Sequence, residues 1–227
     1  MNNYIKIKNL TKKYEKNKTI KVLNDISFNF ETGKTYSITG PSGSGKSTLL
    51  NLLSLIDNPT TGSIEINSKK IKLNNKTEND LFRANKIGII YQDKNLLSDF
   101  TALENVYLPN LLVSKEKQKS IELAKKLLKN VGMSSRINHF PNELSGGENQ
   151  RIAIARALIN NPDIILADEP TGSLDSDNAK LIFKILFNFK NKNRIIIFAT
   201  HNRYFANMAD CKIMMNDGNI QIINATI

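Results

Sequence analysis

Apolar and polar positions along the chain follow two periods. Alternation over residues 4–8, and again at Ile26, Phe28 and Phe30, predicts half-buried strands in a β-rich first third. A strand is expected over 35–39, ending at a glycine-rich turn, and apolar runs over 87–91, 163–168 and 194–199 predict further strands, with a shorter one at 63–66. Helical spacing takes over elsewhere. Leu49, Leu50, Leu52 and Leu53 give a broad apolar face to a helix starting at Lys46. Thr101 followed by Glu104 has the form of a capping box opening a helix over 102–108. The stripe Ile121, Ala124, Leu127, Leu128 and Val131 predicts a helix over 114–130, closed by Gly132. Further helices are expected over 147–160, 177–190 and 203–209, then a hairpin at Asp217-Gly218. Strands alternating with helices argue for an α/β fold with a mainly parallel core sheet, and the helical stretch 93–146 reads as an insertion into it.

Composition narrows the class. A chain of 227 residues with 40% hydrophobic content suits one large domain with a sizeable core. Cys211 is the single cysteine, which excludes a disulfide scaffold and suits a reducing compartment. No apolar run approaches the roughly 18–20 residues of a spanning helix, and the N-terminus lacks the apolar stretch of a signal peptide. Any action at a membrane is therefore expected to pass through a partner. The net charge of +11 comes from 26 Lys and 6 Arg against 21 acidic residues. A lysine-heavy balance is a weak signal for nucleic acid, whose readers favour arginine forks, and no nucleic-acid partner is expected. Lysines concentrate over 1–21 and 115–129, either as solvated faces or as surfaces drawn to anionic lipid.

The chemistry begins at Gly40-Pro41-Ser42-Gly43-Ser44-Gly45-Lys46-Ser47, which fits G-x-x-x-x-G-K-[ST] between a predicted strand and a predicted helix. Glycines let backbone N–H groups turn inward around a phosphate, and the helix N-terminus adds positive potential. Lys46 can reach β- and γ-phosphates, and Ser47 can offer its hydroxyl oxygen to Mg²⁺. A second site lies at the end of the strand 163–168, where Asp168 and Glu169 occupy the position at which α/β sheets bind ligands. Asp168 is expected on the Mg²⁺ side, through water, and Glu169 as the base that polarises the attacking water.

The stretch from Leu144 to Arg151, reading L-S-G-G-E-N-Q-R, places Ser145, Gly146 and Gly147 at a helix N-terminus. With the preceding elements in this order, the chain resembles the ATP-binding-cassette ATPases, whose signature motif this is. The resemblance covers nearly the whole length. It implies a P-loop NTPase core (1–92 and 147–227) that carries an antiparallel β subdomain, with a helical subdomain over 93–146. It implies that Gln92 touches Mg²⁺ and water and senses a membrane partner. Ser173-Leu174-Asp175 would contact a second subunit, His201 the γ-phosphate, and Tyr14 the adenine ring. The nucleotide-binding set runs from Gly40 to Thr48. Asn149 departs from the longer or charged residue usual there, with an effect on rate at most, and His139 is read as a loop residue.

The same resemblance implies ATP and Mg²⁺ as cofactors and a head-to-tail homodimer, with each ATP between Lys46 of one subunit and Ser145–Gly147 of the other. It implies a separate integral membrane permease, which would hold this chain on the cytoplasmic face of the membrane. The stretches 41–50, 95–97, 101–106 and 167–175 are similar to ATPases of macrolide exporters, lipoprotein-releasing complexes and bacteriocin or antimicrobial-peptide exporters. A groove for the permease is expected around 92–108, where Leu96, Leu97 and Phe100 offer apolar surface. The competing readings are a nucleic-acid ATPase of repair or chromosome maintenance, the ATPase of an importer, and a plain P-loop kinase. Too few residues separate Gln92 from Leu144 for a coiled-coil arm, and a kinase leaves 144–151 and His201 unexplained.

Overall fold

The computed structural model describes residues 3–15, 19–72 and 74–225; Lys16 and Lys18 of the first lysine cluster lie outside them. The chain begins with β1 (Asn3–Glu15), β2 (Thr19–Glu31), β3 (Thr35–Thr39), α1 (Lys46–Leu53), β4 (Thr61–Ile66), β5 (Lys69–Lys70) and α2 (Lys76–Lys86). Next come β6 (Ile87–Ile90), α3 (Ala102–Ser114), α4 (Lys117–Asn130), α5 (Gly146–Leu158), β7 (Ile164–Asp168) and α6 (Ser176–Asn188). The last elements are β8 (Ile195–Ala199), α7 (Arg203–Ala206), β9 (Cys211–Asn216) and β10 (Asn219–Ala225). Two compact units result: one joins the residues up to Arg83 with those from Lys190 onward, and the other is Ala84–Phe189.

In the first unit β1 pairs antiparallel with β2 and β4, giving the order β2-β1-β4-β5. The alternation read from sequence is the pleat: Ile5, Ile7, Leu23, Ile26, Phe30, Ile64 and Ile66 are buried. Phe30 meets Phe28 and Tyr36 edge-on, with ring centroids 4.7 and 4.9 Å apart. Beside this sheet, β3 runs parallel to both β8 and β9, and β10 returns antiparallel on β9. Ile195 to Ala199 are all buried, as expected of a parallel strand covered on both faces.

The second unit pairs β6 parallel with β7 and surrounds them with α3 to α6. Helix α5 buries Ile152, Ala153, Ile154, Ala155 and Leu158, while α4 turns Ser120, Ala124 and Leu128 inward. Asn105 is buried and ties down the segment entering α3, its amide donating to the carbonyls of Leu97 (3.0 Å) and Phe100 (2.9 Å). Thr101 caps α3 as expected: its Oγ1 accepts from the Glu104 N–H at 3.3 Å, and Glu104 accepts from the Thr101 N–H at 2.8 Å. Thr101→Ala is expected to cost about 1 kcal/mol, read as a lower urea midpoint at unchanged slope.

Three expectations need correction. The helix expected over 102–108 continues through Pro109 to Ser114. Proline lacks the N–H that would bond the Asn105 carbonyl, yet the helix runs on, and Asn160 donates to the Pro109 carbonyl (3.3 Å) and accepts from Asn110 (2.8 Å). The chain also contains α2, which no pattern predicted: its only buried residue is Asn79, so no apolar stripe announced it. Polar contacts hold it instead: Asn75 accepts from the Glu78 N–H at 3.2 Å, and Arg83 bonds Asp80 at 2.7 Å and the Leu55 carbonyl at 2.9 Å. The helix expected over 203–209 is the single turn α7.

Candidate functional site

In the first unit, the P-loop leaves the carboxyl end of β3 and enters α1. Gly40 has φ +144° and Gly45 φ +103°, so both adopt backbone that L side chains rarely tolerate. A Cβ on Gly40 would lie 2.1 Å from the Met215 carbonyl oxygen, and one on Gly45 would lie 2.8 Å from Leu23 Cδ2. Gly40 and Gly45 thus leave no room for a side chain, whereas a Cβ on Gly43 would meet open space. Lys46 Nζ donates to the carbonyls of Gly40 and Pro41, both at 2.9 Å, which sets the ammonium against the loop. Ser42, Gly43 and Ser47 are exposed, whereas Ser44 is buried and its amide donates to the Pro41 carbonyl at 3.3 Å.

His201 reaches the same sheet edge. Ile38 of β3 is in register with Ala199 of β8, so the P-loop and His201 leave neighbouring parallel strands at their carboxyl ends. The exposed imidazole sits between two fixed residues. The amide of buried Thr200 donates to the Ile38 carbonyl at 3.0 Å, and Asn202 caps α7 by accepting from Tyr204 N at 2.9 Å.

Tyr14 is 37% exposed, and its hydroxyl donates to Asp57 at 2.9 Å. Lys12 Nζ lies 4.7 Å from the centroid of the same ring and bonds Asp57 at 2.6 Å. Burial and the bond to Asp57 raise the phenol pKa; a bond with Thr48 opposes them and links this ring to the P-loop helix. Burial also pushes the Asp57 carboxyl up, but the bonds from Lys12 and Tyr14 outweigh it and hold the group below its ordinary range. The Lys12–Tyr14–Asp57 cluster was not legible beforehand, because only the fold brings Asp57 to β1.

The second unit repeats the arrangement. Ile90 of β6 is in register with Ala167 of β7, so Gln92 and the pair Asp168-Glu169 leave adjacent parallel strands at one edge. Glu169 has φ +44°, a left-handed backbone rare for a residue with a side chain. The Gly172 amide donates to its carbonyl at 3.0 Å. A Cβ on Gly172 would lie 3.1 Å from the Gln92 amide nitrogen and 3.5 Å from Glu169 Cβ, which brings these three residues together.

Ser145 opens α5 with a full capping box: its hydroxyl accepts from Glu148 N at 3.2 Å, and Glu148 accepts from Ser145 N at 2.9 Å. That backbone bond leads the interactions that lower the Glu148 pKa. A Cβ on Gly147 would lie 2.7 Å from the Asn178 side-chain oxygen, and one on Gly146 would lie 3.5 Å from Leu174 Cδ2. The glycines are therefore packed on the residues that open α6, where Asp175 accepts from Asp177 N and Asn178 N. Asn149 points away from the cradle and donates to the carbonyls of Pro141 (2.9 Å) and Leu144 (3.3 Å).

Sequence comparison gives the arrangement its family. Residues 23–172 match the family described as ABC transporter. The chain belongs to the ABC transporter ATPases. It is 44% identical over 211 residues to the lipoprotein-releasing system ATP-binding protein LolD of Rickettsia bellii, covering 92% of this chain and 93% of that one. The LolD protein of Wigglesworthia glossinidia brevipalpis is 46% identical over 97% of this chain and 98% of its own. A solved ATP-binding cassette, a dimer in a post-hydrolysis state bound to ADP and Pi, superposes with TM-score 0.88 at 38% identity, covering 97% of this chain and 99% of that one. As an ABC ATPase the chain binds and hydrolyses ATP for a transporter, and its mixed α/β elements form the P-loop NTPase fold expected from the sequence. Among the described residues no helix is long and apolar enough to cross a membrane.

Proposed function

We propose that this chain powers a separate membrane permease that extracts or exports a lipoprotein, and that it works as a head-to-tail dimer on the cytoplasmic face of the membrane. The observation that carries the reading is the P-loop, where Gly40 and Gly45 leave no room for a side chain and the Lys46 ammonium faces the loop, in a chain 44% identical to a lipoprotein-releasing ATPase. Export of antimicrobial compounds is a neighbouring substrate class with less support, since the relatives named above are lipoprotein-releasing proteins.

In this reading Gly40 to Thr48 cradle the phosphates with backbone N–H groups, and Lys46 neutralises the β- and γ-oxygens. Tyr14 stacks its exposed ring on adenine. Glu169 accepts a proton from the attacking water, and His201 orients the γ-phosphate. In the capping box Ser145 uses an oxygen lone pair, so its hydroxyl proton can serve a phosphate of the partner subunit's nucleotide. Among the described residues no group of three or more His, Cys, Asp or Glu could hold a metal ion. In this reading Ser47, Gln92 and, through water, Asp168 would hold magnesium, their hydroxyl, amide and carboxylate oxygens being the donors a hard cation takes. When bound, that ion neutralises charge on the phosphates. The helical subdomain of this scheme is 93–146, within a core formed by 1–92 and 147–227.

The permease is assigned to the segment after Gln92, where Leu97 and Phe100 are 48% and 38% exposed. Leu97→Asp is expected to abolish co-purification of the permease while leaving ATP affinity within about twofold, because a buried charge there would lack a partner. The whole reading is tested by tagged purification from native membranes in mild detergent with ATP. A co-purifying membrane protein with few spanning helices and a large external domain supports it. Recovery of DNA or ribosomes with no membrane chain refutes it.

A further inference from the structure

The segment between Gln92 and Thr101 has no regular structure, yet its middle is fixed by one side chain on the signature helix. Arg156 Nη1 donates to the Asn95 carbonyl and Nη2 to the Lys94 carbonyl, both at 2.7 Å. The side chain is half-buried, and that burial lowers the guanidinium pKa. Two consecutive carbonyls can meet one guanidinium because Asn95 adopts φ +48°, a left-handed turn that swings its peptide toward α5. Lys94 adds a third tie, its ammonium donating to Ser173 Oγ at 2.7 Å in the segment that packs on the signature glycines. Charge-assisted bonds of this length are among the strong ones, and a bidentate fork fixes orientation as well as distance.

We infer that Arg156 is a positioning residue that makes the Gln92 segment and the signature helix move as one body. The segment's order and the fitness of Ser145–Gly147 for a second subunit's nucleotide then become a single event. Lysine reproduces this role only in part, because one nitrogen would have to serve the two carbonyls that Nη1 and Nη2 meet separately. The inference rests on the head-to-tail reading above, so its test is built to fail separately.

The test compares full-length Glu169→Gln with Glu169→Gln/Arg156→Gln and Glu169→Gln/Arg156→Lys. ATP-dependent dimerisation is followed by light scattering, and backbone hydrogen exchange over residues 93–99 is followed by mass spectrometry. The parent is expected to dimerise with ATP and to slow exchange in that segment at the same time. Arg156→Gln should need about tenfold more ATP for half-dimerisation. Its segment should exchange fast even in the dimer, and monomer affinity for a fluorescent ATP analogue should stay unchanged. Arg156→Lys, which keeps the charge and guards against loss of folding, should fall between the two. Dimerisation of the parent together with unchanged ATP dependence and unchanged segment exchange in both Arg156 variants overturns the inference and leaves the proposed function standing. Exchange that rises across the whole chain, with no change confined to 93–99, also overturns it by showing a general packing role. A parent that stays monomeric with ATP refutes the head-to-tail reading, and the inference with it.

Discussion

Glu169→Gln is expected to leave an ATP-bound dimer that no longer turns over. The residue follows an apolar strand whose burial fixes the backbone up to Ala167, and it then takes a left-handed conformation at φ +44°. A non-glycine residue held there costs about 1–3 kcal/mol, a strain retained where geometry has a use. Glutamine keeps the volume and the backbone bond from Gly172, so the site's shape should persist. The amide lacks the basicity to take a proton from water, and hydrolysis should fall about a hundred- to ten-thousandfold. The P-loop is untouched, so ATP should still bind, and the proposed head-to-tail dimer should accumulate because hydrolysis no longer removes the ATP between its subunits. Phosphate release measures the first effect, and light scattering with ATP and magnesium measures the second. A variant that hydrolyses at the parent rate removes Glu169 from the role of base.

Legibility in the sequence followed the physics of each element. Strands buried on both faces announce themselves as apolar runs, so the strand ending at Asp168 could be read almost to the residue. The strand 35–39, with three Ser or Thr residues, was legible through the glycine-rich turn that ends it. Capped helices were equally plain, since Thr101 with Glu104 carries its own start signal. Helix α2 escaped because it buries almost no apolar surface, and polar ties such as Arg83 to Leu55 leave no periodic trace. The site divides similarly. Contiguous motifs such as 40–47 and 144–151 are visible in one dimension because phosphate cradles are built from consecutive backbone. Contacts between segments distant in sequence are not: nothing in the spacing of Arg156 and Lys94, or of Tyr14 and Asp57, predicts that they meet. Those pairings depend on register and on single left-handed residues such as Asn95, which only the folded chain shows.

Lys46→Ala is expected to weaken ATP binding and hydrolysis together. Lys46 is the single cation between residues 40 and 48, and its ammonium is held by two loop carbonyls at 2.9 Å. Bonds to a charged group contribute about 1.5–3 kcal/mol, so its removal should weaken ATP binding by roughly 10- to 150-fold. Hydrolysis should fall further, because the same charge offsets what develops on the γ-phosphate as the bond breaks. The melting temperature without nucleotide should hardly move, since the bonds lost are made to a partly exposed loop rather than to the core. ATP should then give little stabilisation, and no dimer should form even when Glu169→Gln is present. Arginine is not expected to rescue, because its bulkier guanidinium cannot take the place of a compact ammonium that lies 2.9 Å from both loop carbonyls. Titration with a fluorescent ATP analogue, beside melting curves with and without ATP, reads every part of this. Wild-type affinity in Lys46→Ala would move the nucleotide away from the loop and require another phosphate site in the chain.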